Sequence, residues 1–119
     1  MDRMMMRTGL WLLALSVIAG AFGAHGLKMM VVPDRLETWD TAVRYHAWIS
    51  ILLIMLGGSF FRVSVWVYRL LVLGLSVFSG SLYLLVVLDF GALGAVTPLG
   101  GILLIVGISL AAITCREAH

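Results

Sequence analysis

The side chains able to do acid–base or binding chemistry stand beside apolar runs. His25 falls in GAFGAHGLK with Lys28; Arg44, Tyr45 and His46 fall in TAVRYH; Ser79 and Tyr83 fall in FSGSLYLL; and Thr97 opens TPLGG. An imidazole can carry a proton near neutral pH or ligate a metal. Hydroxyls can donate and accept across helices, more often as glue than as chemistry. Serine, histidine and aspartate are all present, yet no spacing specifies a nucleophile with its base. Bis-histidine haem needs opposed imidazoles in a deep pocket. Zinc needs about four ligands, and no cysteine is near enough to complete a set. The pattern therefore predicts no cofactor and no metal. Cys115, the single cysteine, allows no internal disulfide and reads as a packing residue.

The elements that must position these residues follow from composition. Of 119 residues, 62% are hydrophobic and 12% charged, against about 45–50% and about 25% in a soluble domain. That excess of apolar surface belongs in lipid. A bilayer core of about 30 Å takes about 20 helical residues. Four runs meet this length, at about 9–25, 43–61, 69–88 and 98–115. Lipid leaves no partner for an open backbone group, so the fold class expected is an all-α four-transmembrane-helix bundle. The length suits one membrane domain over 1–119. Arg3, Arg7 and the following apolar core also fit a secretion signal, but three further spans favour an uncleaved first helix. The eight basic residues are scattered, which excludes a nucleic-acid surface.

Basic residues choose the orientation. With the N-terminus inside, Arg3, Arg7, Arg62, Arg69 and Arg116 are cytoplasmic, whereas Lys28, Arg35 and Arg44 lie outside. Both termini are then cytoplasmic. In the first connection, DRLETWDTAV offers Asp34 as an N-cap with Glu37 at capping-box spacing. Leu36, Trp39 and Val43 fall on one side at helical spacing, which predicts either a short interfacial helix with Trp39 at headgroup depth or an N-terminal extension of the second span. Thr97 and Pro98 read as N-cap and first helical residue. Gly26 reads as a terminator of the first helix.

By this topology His25 ends one span and His46 begins the next, so both come to the outer surface. Tyr83 and, one turn away on the same face, Ser79 lie inward from there. Arg44 can pair with Asp40 or Glu37, or meet a lipid phosphate. The deep parts of all four spans lack Asp, Glu, Lys and Arg, which argues against a proton-coupled exporter. Gly20, Gly23, Gly80, Gly100 and Gly101 mark faces where helices approach closely.

The motifs GAFGAHGLK at 20–28, TAVRYH at 41–46, FSGSLYLL at 78–85 and TPLGG at 97–101 resemble those of a small membrane-protein family of unknown function that includes YgdD-like and YwdK-like bacterial proteins. The resemblance covers about residues 9–115. It implies a multi-pass protein of the bacterial inner membrane with four spans, the first uncleaved, and with no established reaction. His25, Tyr45, Ser79, Tyr83, Thr97 and Pro98 match motif positions, while Ile49 stands where the family pattern often has a further histidine.

The function expected is a non-enzymatic accessory, assembly or lipid-associated module with a polar cluster at its outer face. Its partners would be membrane lipids and a membrane protein or a second copy of itself. The alternative is a binding or conduit protein for a small neutral or hydrophobic ligand, requiring a cavity that continues past Tyr83. An outer-face enzyme would need His25 or His46 to converge with a nucleophile.

Overall fold

A computed structural model describes residues 2–117. Four long helices follow one another: α1 (Arg3–Ala24), α2 (Pro33–Gly58), α3 (Val65–Leu88) and α4 (Thr97–Thr114). All four are long and apolar enough to cross a membrane. Short 3₁₀ turns, Leu27–Met29 and Gly91–Ala95, occupy the connections at one end. At the other end β1 (Phe61–Arg62) pairs antiparallel with β2 (Arg116–Glu117), a small departure from the all-α expectation.

α1, α2 and α3 begin before the expected spans because local caps, not hydropathy, set where they start. The carboxylate of Asp2 accepts from the Met5 N–H at 3.1 Å. The Asp2 N–H in turn donates to the Gly57 carbonyl at 2.7 Å, tying the start of α1 to the end of α2. Pro33 opens α2 after an extended Val32, so Asp34 sits in the first turn and is not its N-cap. There its charge still favours the positive end of the helix dipole. DRLETWDTAV is thus the N-terminal extension of α2, and the short helix of the first connection lies earlier, at Leu27–Met29. Ser64 caps α3 by accepting from the Trp66 N–H at 3.2 Å. Thr97 is the first residue of α4 and makes no capping bond, because its hydroxyl is spent on Ser81 at 2.6 Å. Gly26 does not terminate α1 through a left-handed cap: its φ is −67°, and the helix closes at His25 in a right-handed conformation.

Each helix packs antiparallel on its chain neighbour, α1 on α2, α2 on α3 and α3 on α4. The bundle is flattened, with extents of 52 × 26 × 16 Å. Its two apolar cores sit at opposite ends. Met5, Leu53, Val67 and Leu71 are fully buried in one; Leu27, Trp39, Ala42 and Leu82 are the centre of the other. Between helices, glycine makes the close approach. A Cβ on Gly9 would lie 2.7 Å from the Ser50 carbonyl, and one on Gly74 would lie 2.9 Å from the Leu104 nitrogen. Gly100 lies against the Phe78 backbone and Gly23 against the Trp39 ring. Gly20 and Gly101 make only ordinary contacts, and nothing lies within 4 Å of a Cβ on Gly80. The expectation of Gly80 as a packing position is therefore corrected: it borders open space.

Candidate functional site: a buried histidine–tyrosine pair

His46 stands near the middle of α2, roughly 20 Å along the axis from Pro33 at about 1.5 Å per residue. It is 7% exposed. Helical side chains lean toward the N-terminus of their own helix. In antiparallel α2 and α3 this lean aims His46 and Tyr83 at one another. The Nδ1 atom of His46 meets the Tyr83 hydroxyl at 2.8 Å. A neutral imidazole protonated on Nε2 accepts there from the phenol.

Neighbouring groups lock this pair in place. The Tyr83 ring lies against Trp39 with centroids 4.6 Å apart. The Trp39 N–H donates to the Ala19 carbonyl of α1 at 2.8 Å, passing over the bare backbone of Gly23. Ser79 donates to the Ala42 carbonyl of α2 at 2.9 Å. Ser50 donates to the His46 carbonyl at 2.6 Å. Ser81 and Thr97 join α3 to α4. Every helix is thus tied to its neighbour by a polar contact, the kind of link worth most where no water competes. Far from this set, toward the fully buried core, Thr8 and Tyr68 meet at 2.7 Å.

One buried polar atom is left over. Among the described residues, His46 Nε2 has no hydrogen-bond partner. A cavity of about 160 Å³ lies alongside, lined by Leu12, His46, Ser79, Gly80 and Tyr83 among others. The hydroxyl protons of Ser50 and Ser79 are already committed to carbonyls, so neither serine is paired with the imidazole as a nucleophile.

The remaining candidates do not join this cluster. His25 is exposed beyond the end of α1. Val43 packs at Gly20 and Ile54 at Gly9, so His46 lies roughly 12 Å deeper than His25 at about 1.5 Å per residue. The expected meeting of the two imidazoles at the outer surface does not occur, because α2 starts at Pro33, ten residues before the expected span at 43. Lys28 and Arg44 are exposed. Arg44 pairs with neither Asp40 nor Glu37; the ion pair present among the described residues is Arg35 with Asp89 at 2.9 Å. Tyr45 faces outward, against Trp48 and Phe78. Cys115 is exposed at the end of α4 and does not pack. Among the described residues, no three His, Cys, Asp or Glu side chains gather where they could hold a metal.

Ser50, Thr8 and Tyr68 were missed in the sequence. Trp39, expected at headgroup depth on the face that it shares with Leu36 and Val43, is instead buried between helices, because its ring packs over Gly23 and against Tyr83.

Four long apolar helices linked by interhelical hydrogen bonds define a multi-pass helical membrane protein. A family model described as "Protein of unknown function (DUF423)" matches residues 19–101. A UPF0382 membrane protein of Staphylococcus haemolyticus is 42% identical over 96 residues, covering 78% of this chain and 79% of the relative. The UPF0382 membrane protein YwdK of Bacillus subtilis is 38% identical over 100 residues, covering 77% and 79%. This chain belongs to that DUF423/UPF0382 membrane-protein family. No solved structure matches it.

Proposed function

We propose that the protein is a non-enzymatic accessory or assembly module, a single four-helix unit of the bacterial cytoplasmic membrane with both termini in the cytoplasm. The observation that carries this reading is the disposition of polar and apolar surface. Ser79, Ser81, Thr97, Tyr83 and Trp39 spend their polar groups inside, on neighbouring helices. Meanwhile the edge helices α1 and α4 turn Trp11, Leu15, Ile18, Ile102, Ile105 and Ile113 outward. Such faces suit lipid or another membrane helix, and the small residues along the bundle favour close approach. Relatives named as membrane proteins in Staphylococcus and Bacillus agree with the location, since a Gram-positive cell has that one membrane. His25 and Lys28 supply an exposed polar fringe at the outer end.

The conduit alternative has less support. The cavity at His46 is about 160 Å³, and the core below it is filled by Leu53, Leu71, Val67 and Met5, all fully buried. Extraction from the native membrane in a mild detergent, followed by native mass spectrometry, tests the accessory role. A stoichiometric protein complex or a homo-oligomer is expected. A lone monomer in every mild condition, with catalytic turnover of an added substrate, would overturn the reading.

A further inference from the structure

At the other side of the Trp39 layer a larger cavity of about 430 Å³ opens where α1 and α3 end and α2 begins. That volume lies within the range of about 300–1,000 Å³ usual for ligand pockets. Leu27, Val31, Val86 and Val87 supply apolar walls, and Arg35 and Asp89 supply a charged end. The cavity thus runs from acyl-chain depth to headgroup depth. Arg35 lies in the first turn of α2, and Asp89 caps α3. Their side chains are 30% and 80% exposed.

Asp89 is an unusual choice for its place. It is the one non-glycine residue among those described with a positive φ, at 51° with ψ 44°, and its N–H closes the helix on Leu85. Glycine or asparagine ordinarily fills such a left-handed cap, and neither brings a charge. Aspartate tolerates the conformation and adds a carboxylate aimed at Arg35 across 54 residues of chain. An ion pair this exposed contributes little to stability, so its members are cheap to separate.

The geometry points to a seat for one zwitterionic glycerophospholipid whose headgroup carries a primary amine. Its phosphate takes the guanidinium of Arg35, which is suited to bidentate phosphate contact. Its ammonium takes the carboxylate of Asp89 that the phosphate has displaced, and one acyl chain runs down Val86 and Val87. Charge complementarity selects this occupant: one cation and one anion of the protein meet one anion and one cation of the lipid. A trimethylated amine has no N–H to give the carboxylate. A purely anionic headgroup leaves Asp89 facing like charge. The seat does not depend on the accessory role, since it uses the ion pair and not the edge faces.

Full-length protein, delipidated in a maltoside detergent, is offered phosphatidylethanolamine, phosphatidylcholine or phosphatidylglycerol with identical acyl chains, and bound lipid is read by native mass spectrometry. One phosphatidylethanolamine per chain is expected, held about tenfold more tightly than either competitor, as one charge-assisted hydrogen bond implies. Asp89→Asn keeps the left-handed cap and should bring the ethanolamine-to-choline preference to near unity. Arg35→Gln should weaken both, and Arg35→Lys should restore part of the loss. Free phosphoethanolamine should not compete at lipid concentrations. Equal retention of the three lipids by the wild-type protein would overturn the assignment, as would an unchanged preference in Asp89→Asn or full competition by the free headgroup. Thermal unfolding without lipid checks that each variant is folded.

Discussion

Among the described residues, the hydroxyl of Tyr83 has one protein partner, the Nδ1 atom of His46, and the Nε2 atom of that imidazole has none. Removing the hydroxyl alone leaves a buried ring with both nitrogens unpaired, whereas replacing both residues by apolar ones removes the donor and the acceptor together. Tyr83→Phe should therefore destabilise the protein by about 1 kcal/mol, between the average of about 0.6 and the maximum of about 1.7 kcal/mol for interhelical hydrogen bonds in membranes. The double variant Tyr83→Phe with His46→Leu should lose less than the sum of the two single changes. Unfolding by denaturant in mixed micelles measures this cycle, and strict additivity would show that the pair is not coupled. His46 and Tyr83 were both legible as candidates because they are polar residues in or beside apolar runs. Their union was not, since it depends on how far inside α2 the histidine lies.

Helix ends and helix contacts carry the next level. Asp2, Ser64 and Pro33 set where α1, α3 and α2 begin, and each extends the helix past the first apolar residue. Apolar runs of bilayer length revealed all four elements but placed the start of α2 ten residues late, which misplaced His46 by several turns. Glycines set how closely the elements meet. Gly74 and Gly100 allow α3 and α4 to touch backbone to backbone, whereas Gly80 on the same helix faces open space. Gly100→Ala must push against the Phe78 backbone and should cost about 1–3 kcal/mol, the usual range for overpacking. Gly80→Ala should be neutral or slightly stabilising, through its better helix propensity. Thermal midpoints in one detergent compare the two, and equal losses would show that the small residues are not acting through helix approach.

Across the whole molecule, alternate ends of the helices gather unlike charges. The end with Arg3, Arg7, Arg62, Arg69 and Arg116 is rich in arginine, and the other carries Lys28 and the Arg35–Asp89 pair. Under the proposed orientation, which follows the positive-inside bias, Cys115 lies in the cytoplasm. In intact cells, a membrane-impermeant maleimide should leave Cys115 unlabelled until the membrane is opened. A Cys115→Ser protein carrying His25→Cys should label without opening. The reverse pattern would invert the topology. Both positions are exposed, so access in the folded protein depends on the side of the membrane.

The sequence by itself determined that four segments cross a membrane, because length and apolar content suffice where every backbone group must be satisfied within its own helix. It also determined which residues are polar enough to matter. Only the tertiary structure decided which faces meet. In a soluble helix the buried stripe contrasts with a polar surface, but in lipid the inside and outside are both apolar, and the contrast vanishes. Leu53 is fully buried and Met55 is exposed on the same helix, with nothing in their hydropathy to separate them. Depth was hidden for a similar reason. Pro33 and the turn before it start α2 well outside the apolar run, and that offset carries His46 down to Tyr83 and away from His25.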